Sequence, residues 1–552
     1  MKRDNVTLLL ISSSLAYASE EMGLALRNAA YSPNIKERMD HSAAIFDARG
    51  RLLAQAEHIP VHLGSLPWGL KNLIDICERE GPSFEEGSMI MANDPYVCGT
   101  HLNDVTVVCP IYSSGLLVAF AANKAHHADV GGKVPGSISM ESSNLFEEGF
   151  VAEPTRLTRN RKFIPRTLDE FSSASRTPAE RRGDLRAQVA ANLTGERRVH
   201  GLMAKYGRDA LADSGEFSFA HSETMMKRRL SAIGQGTFTA TEVLEGIEGE
   251  DLHLRVTVRV RAGGVSVDYA GTDPQVDYPL NSVFGVTLSG VYYVIRTLTG
   301  DDIPANHGAF APIRVSAPTG TILNPTSPHP VGGGNVETSQ RNADLIYRAL
   351  SRASPKLVPA AAGGSMNNIM VGGRYRGSKW AFYETIGVGL GGLDGQDGID
   401  GIQCNMTNTM NTPVEEIERS LPLMITKYEF RADSSGPGKF RGGSGLLRRY
   451  RVLAAGTTFT ILAEREMKAP WGLLKGGPGK STEVVLSRGG KEARVPSKTT
   501  LLLGRGDEVE IRTAGGGGYG SPLSRERSSI QQDVTNGLVT SADARRLYRF
   551  SA

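Results

Sequence analysis

Apolar residues recur at helical spacing near the start of the chain. Leu8, Ile11, Leu15, Ala18, Met22 and Leu26 fall on one stripe and predict a helix over 6–29. Two short apolar runs, 42–46 and 52–56, flank Asp47-Ala48-Arg49-Gly50 and read as a hairpin. A helix follows over 68–79. Three strand-like runs come next, at 88–92, 105–112 and 116–123, rich in Val, Ile, Leu, Ala and Phe. Periodicity is then lost over 129–154, a long ordered loop of the kind that carries function. Helical patterning returns over 177–207, with Leu185, Val189, Ala190 and Leu193 on one stripe, and over 217–230; the arginines there read as a solvated face. Beyond Gly234, period-two alternation at 237–244, 252–259 and 264–269 predicts an antiparallel meander. Helices are expected at 289–299 and 343–354, and strands at 365–371 and 379–386. From Met424 onward strands and turns dominate, as at 457–463, 481–487 and 499–503.

This order predicts a multi-domain α+β chain with mixed and antiparallel sheets, flanking helices and a mostly β C-terminal part. The expected divisions are an α+β segment 1–233, a meander plus helix 234–342, a central α/β segment 343–423 and a β-rich segment 424–552.

Composition narrows the function. The 552 residues carry 62 Lys+Arg against 59 Asp+Glu, which argues against a dedicated nucleic-acid binder. With 40% apolar and 22% charged residues the chain can bury large cores and is not disordered. The four cysteines, Cys77, Cys98, Cys109 and Cys404, form no CxxC pair, which argues against a disulfide framework and a thiolate zinc site. The apolar run 8–14 is too short for a membrane span or a signal peptide, so a soluble cytoplasmic protein is expected. Glycine is abundant, 64 residues, which signals turns and close backbone approaches.

Two glycine patterns imitate nucleotide sites. Gly387-Val388-Gly389-Leu390-Gly391-Gly392 satisfies GxGxxG, but turn sequence follows where a helix should receive the pyrophosphate. Leu474–Ser481 resembles a phosphate loop, yet it lacks the first glycine, contains Pro478 and leads into a β-like run. Gly515–Gly518 suggests no chemistry.

The informative stretch is 37–149, which holds His41, His58, His62, His101, His126 and His127, six of the 11 histidines. Two patterns there suit metal ligation. His101-Leu102-Asn103-Asp104 precedes the run 105–112, and His126-His127-Ala128-Asp129 follows the run 116–123. If those runs pair as a hairpin, His101, Asp104 and His126 meet at its open end. Positions i and i+3 of an extended strand face opposite ways, so this requires a bend, which Gly99-Thr100 makes available. A mixed His/carboxylate set suits Zn²⁺, Mn²⁺ or Fe²⁺ and leaves room for water or substrate, whose acidity or electrophilicity the ion would raise. His58 and His62 read as packing residues.

The same residues resemble the B subunit of the hydantoinase/oxoprolinase family. The matching stretches are Glu37-Arg38-Met39-Asp40, His58–Ser65, Asn93-Asp94-Pro95-Tyr96, Gly99–Asp104, His126–Gly132, Glu147-Glu148-Gly149, Asn335–Arg341, Asn408–Pro413 and Gly515–Gly520. The resemblance implies a metal-bearing subunit of an ATP-dependent complex. Its ATP is bound by a separate hydantoinase A-type subunit, or a fused A half, that phosphorylates the substrate's carbonyl oxygen. Relatives act on hydantoins, lactams and, in acetone and acetophenone carboxylases, ketones. The family's metal ligands map onto Asp40, His101, Asp104 and His126; Asp40 enters from the resemblance alone. Cys98 stands where the family usually has a glycine, and packing is its favoured role.

The resulting expectation is an ATP-dependent cyclic amide hydrolase, assembled as a hetero-oligomer such as (AB)2. The metal would be zinc, manganese or iron. Asp129 and Glu148 are candidates for general base or for orienting histidine ligands, and His127 for binding phosphate or substrate. The alternatives are a ketone carboxylase subunit and a non-catalytic scaffold for the A subunit.

Overall fold

The computed structural model describes residues 4–550 apart from Glu57 and Glu248. The first helix, Asn5–Ala29, is capped by the Asp4 carboxylate, which accepts from the Thr7 N–H at 2.8 Å. Its buried face includes Leu8, Ile11, Leu15, Ala18, Met22 and Leu26, the stripe evident in the sequence. This face packs on the long helix Pro178–Tyr206 and on the first sheet. Gly195 permits that approach, since a Cβ there would collide with Met22.

The first sheet comprises β1 (His41–Asp47), β2 (Leu52–Ala56), β3 (Met89–Ala92), β4 (Asp104–Ser113), β5 (Leu116–His126), β6 (Thr155–Arg159) and β7 (Lys162–Phe163). Its order is β2-β1-β5-β4-β3-β6-β7, and every pairing is antiparallel. The second sheet, β11-β10-β9-β8, is built from β8 (Gly236–Glu245), β9 (Asp251–Arg261), β10 (Gly264–Asp268) and β11 (Ile313–Ser316). Its β10–β11 pair is parallel, which makes this sheet mixed.

The remaining strands are β12 (Asn368–Tyr375), β13 (Ser378–Glu384), β14 (Leu423–Phe430), β15 (Leu446–Val452), β16 (Thr457–Leu462), β17 (Glu483–Arg488), β18 (Lys491–Val495), β19 (Lys498–Leu503) and β20 (Glu508–Arg512). They form two antiparallel sheets, β13-β12-β16-β19 and β14-β15-β20-β17-β18. The first of these draws strands from both sides of residue 423, so the segments 343–423 and 424–552 share a sheet. The architecture is a multi-domain α+β fold. Among the described residues no helix is long and apolar enough to cross a membrane.

Two helices begin earlier than the sequence suggests. His62–Arg79 starts six residues before the expected position and continues through Pro67, which by its chemistry marks a boundary. Its first turn is stabilised from outside: Ser289 Oγ accepts from the Gly64 and Ser65 N–H groups at 3.0 and 2.9 Å. Ser339–Leu350 is preceded by a π-helical turn, Gly334–Thr338. The glycines ahead of it look like a loop, but Gly334 lies against the Asn281 carbonyl, where no side chain fits. Two short C-terminal helices, Arg527–Thr535 and Ser541–Tyr548, close a small core of Ile530, Val539, Ala544, Tyr548 and Phe550. Each has too few turns to show a period in the sequence.

The glycine surplus has a definite location. Stretches around 360–363, 387–392, 434–443, 472–480 and 514–520 lie backbone against backbone, joined by bonds such as Gly392 N–H to Gly517 O at 2.9 Å and Gly516 N–H to Gly443 O at 2.9 Å. Added Cβ atoms at Gly389, Gly442, Gly443, Gly515, Gly516 or Gly517 would press into neighbouring backbone atoms. Both nucleotide look-alikes and the Gly515–Gly518 run therefore belong to one close-packed backbone bundle.

Candidate metal centre

The register of β4 and β5 places Asp104 directly opposite His126, at the end of the hairpin. His101 reaches the same point through a turn. Gly99 is left-handed at φ 84°, and the Asp104 N–H donates back to the His101 carbonyl at 3.0 Å, so residues 101–104 are curved. Lys124 of β5 secures this curve, its Nζ donating to Cys98 O at 2.6 Å and Thr100 Oγ1 at 3.0 Å. Cys98 itself is buried, and burial pushes its thiol up to about 11. On the other side of β5, strand β1 brings Asp40, whose carbonyl accepts from the His126 N–H at 3.0 Å.

Three donor atoms converge. His101 Nε2 lies 3.1 Å from Asp104 Oδ1 and 3.1 Å from His126 Nδ1, and His126 Nδ1 lies 3.2 Å from Asp104 Oδ1. Adjacent ligands about 2.1 Å from one divalent ion are separated by ~3.0 Å in octahedral and ~3.4 Å in tetrahedral geometry. The observed spacings fall between those limits. Two imidazole nitrogens facing each other at 3.1 Å are also poor partners without a shared cation, because one proton cannot satisfy both and the carboxylate together. The donor set therefore fits a divalent ion. Asp40 Oδ2 stands 3.8 Å from His126 Nδ1, near enough to complete it.

The carboxylates and imidazoles shift one another. Burial alone would lower His101, but Asp104 and Asp40 outweigh it and hold its pKa above the ordinary value. Burial would raise Asp104, yet His101, His126 and His62 hold it well below the carboxylate range. Burial keeps His126 below its usual value, which favours the neutral, ligating imidazole.

His62, a packing residue by its sequence pattern, has a more pointed position than that. Its Nε2 is 3.3 Å from Asp104 Oδ2 and its Nδ1 is 3.0 Å from Ser42 Oγ, so it fixes the carboxylate from behind. No local spacing announces this, because His62 opens a helix whose start the sequence hides. His62→Ala is expected to weaken metal binding about 10- to 100-fold while leaving the fold intact, measured by competition with a chelating dye.

The other three candidates lie outside the cluster. Asp129 accepts from Gly136 N–H at 3.0 Å, Ser175 Oγ at 3.1 Å, Arg176 N–H at 2.8 Å and the Arg176 guanidinium at 2.9 Å. These bonds tie the 129–136 loop to the stretch before the long helix. His127 donates from Nε2 to Gln188 Oε1 at 3.0 Å and packs edge-on against Phe171, and burial lowers it to about 4. The Gln188 amide is oriented by its own donation to Val105 O and Asn123 Oδ1. Glu148 accepts from the Val331 and Gly332 N–H groups at 3.1 and 2.8 Å, and burial raises it to about 7. It thereby anchors the backbone that leads into the π-helical turn.

A cavity of about 20 Å³, room for roughly one water-sized group, adjoins the cluster. Its lining includes Asp40, His62, Asp104 and His126 together with Asn335, Met366, Tyr383, Thr385, Thr407 and Thr409. The Tyr383 ring stacks on His126 with centroids 4.4 Å apart. Its hydroxyl donates to Asn368 Oδ1 at 2.8 Å, and Asn368 Nδ2 donates to Glu337 Oε1 at 2.7 Å. Glu337 is raised to about 8 by burial and by Glu464. A carboxyl raised on folding costs stability as pH climbs from its unfolded value through the folded one. Glu337→Gln keeps the accepting oxygen, so its melting temperature should match the parent near pH 5 and exceed it near pH 9, read by scanning calorimetry.

Known proteins share this sequence and fold. The sequence model of the family described as Hydantoinase B/oxoprolinase matches residues 4–522. An uncharacterised protein of Methanocaldococcus jannaschii is 44% identical over 99% of this chain and 96% of its own length. The putative B component of a D-/L-hydantoinase from a Pseudomonas species is 31% identical over 98% of this chain and 94% of its own. The 5-oxoprolinase of Saccharomyces cerevisiae is 34% identical over 94% of this chain, which spans only 42% of that longer protein. Among solved structures, the ATP-dependent caprolactamase of Pseudomonas jessenii superposes with a TM-score of 0.92 at 28% identity, covering 99% of this chain and 96% of its own. An acetone carboxylase chain reaches the same TM-score at 19% identity, covering 99% of this chain and 79% of its own, and shares the fold. The chain belongs to the hydantoinase B/oxoprolinase family.

Proposed function

We propose that this chain is the metal-bearing B-type subunit of an ATP-dependent hydrolase of cyclic amides, working with an A-type subunit that binds ATP. The observation that carries the reading is the buried convergence of His101, Asp104 and His126, with Asp40 beside them, on a small cavity. The likeness to an ATP-dependent caprolactamase over the whole chain supports the reaction class. A nucleotide site on the partner is supported from within this chain, because both of its glycine-rich look-alikes are consumed in backbone packing.

A divalent cation held by Asp40, His101, Asp104 and His126 would supply Lewis acidity and make water more acidic. The chain's residues do the rest. His62 and Ser42 hold the Asp104 carboxylate in one orientation. Tyr383 covers the His126 face and excludes water from it. Phosphorylation of the amide oxygen by the partner turns a resonance-stabilised carbonyl carbon into an electrophile that water can attack.

The test is turnover by the reconstituted pair with hydantoins, lactams and acetophenone, with and without bicarbonate. Ring opening with ATP consumed and no need for bicarbonate is the expected result. A product that forms only with bicarbonate would replace the hydrolase reading by a carboxylase. Full activity from a pair stripped of metal would leave this chain a scaffold.

A further inference from the structure

The cavity beside the metal ligands is also lined by Asn335, Thr385, Thr407 and Thr409, and Arg38 lies behind two of these threonines. Arg38 is fully buried, and among the described residues no carboxylate pairs with it. Its donors go to neutral oxygens. Nη2 donates to Thr385 Oγ1 at 2.7 Å and Thr409 Oγ1 at 3.1 Å, Nη1 to Asn34 Oδ1 and Tyr383 O, the latter at 3.4 Å, and Nε to Met410 O at 3.3 Å. The guanidinium also lies over the Tyr383 ring, 5.0 Å from its centroid. A buried guanidinium with no carboxylate beside it keeps an uncompensated charge even when its N–H groups are bonded, and an anion in the filled site would offset that charge.

The hydroxyl protons can be traced. Thr385 Oγ1 accepts from Arg38 and from Gln403 Nε2 at 3.2 Å, which uses both its lone pairs. Its proton must then go to Thr409 Oγ1, 2.9 Å away. Thr409 Oγ1 now accepts from both Arg38 and Thr385, so its own proton points toward Thr407 Oγ1 at 3.4 Å or into the cavity. Either way one hydroxyl, polarised by the guanidinium behind it, is left to donate into the cavity. Asn335, 4% exposed on the π-helical turn, lines the same cavity with an unpartnered side-chain oxygen, which can accept from a hydroxyl or water there. π-Helical turns are frequent at functional sites.

We infer that Thr407 and Thr409, backed by Arg38 and Thr385, form an oxyanion subsite that receives a negatively charged oxygen of the reacting group beside the metal. This rests on the metal reading, because two carboxylates, one guanidinium and a divalent ion together leave the cavity positive. The room available suits a single oxygen atom. A carboxylate and a phosphoryl group both present such an oxygen, and the two are separable by titration.

The experiment is calorimetric titration of the metal-loaded full chain with acetate and, separately, with inorganic phosphate, after metal content has been assayed on every sample. At least one anion should bind. Thr407→Val should weaken it at least about tenfold with metal content unchanged. Thr409→Val should do the same and Thr409→Ser should restore binding, which separates the hydroxyl from the packing of Arg38. Preference for acetate assigns the subsite to an acyl oxygen, and preference for phosphate to a phosphoryl oxygen. Stoichiometric metal with no anion binding, or wild-type affinity in the Thr407 and Thr409 variants, overturns the subsite alone. A chain that takes up no metal overturns the metal reading and the subsite with it.

Discussion

Asp104→Ala is expected to abolish metal binding and, with it, turnover by the reconstituted complex. The expected loss of metal affinity exceeds the roughly 100-fold ceiling of a residue that merely orients a ligand. The reason lies in the carboxylate's two oxygens. Oδ1 faces both His101 and His126 at 3.1 and 3.2 Å, and Oδ2 is held by His62 at 3.3 Å. Without it only His101 and His126 remain of the converging trio, with Asp40 3.8 Å from His126, and the set loses the one ligand that faces both imidazoles. Elemental analysis and activity read the two losses, and circular dichroism checks that the fold survives. Full metal occupancy in this variant would show that the cluster is not the site.

Gly516→Ala is the largest structural effect expected. A Cβ at this position would meet the Leu390 carbonyl oxygen and carbon and the Gly391 nitrogen, all of them backbone. None of these atoms can swing away, and relief would break bonds such as Gly443 N–H to Leu390 O. The cost should be about 4 kcal/mol or more, at the severe end for a single substitution. Aggregation or a large fall in unfolding midpoint is the result to look for. The control is Gly201→Ala in the helix Pro178–Tyr206, where nothing lies within 4 Å of the added atom; there a gain of up to about 1 kcal/mol is expected. Equal behaviour of the two variants would mean that the glycine bundle is loosely packed.

The convergence of His101, Asp104 and His126 is legible in the sequence because one hairpin carries it. Once 105–112 and 116–123 are paired, the register alone brings Asp104 opposite His126, and Gly99 supplies the bend that His101 needs. Asp40 lacks such a signal. It arrives through β1, which pairs with β5 across some 80 residues of intervening chain, and residue spacing does not select it among the carboxylates. Pro67 hides His62 by masking the start of its helix, and much of the remaining cavity lining comes from residues beyond 330 that only tertiary packing unites. The glycine bundle shows the converse limit. Its segments look like phosphate loops because both structures require backbone without Cβ, and the sequence does not say whether phosphate or another backbone fills that space.

The most direct measurement is elemental analysis of the purified full-length chain combined with X-ray absorption at the metal edge. One divalent ion per chain with nitrogen and oxygen neighbours near ~2.1 Å, and an imidazole signature lost in the Asp104 variant, is the predicted result. A chain isolated without metal that still supports full turnover with its partner, or an ion held by sulfur, would contradict it.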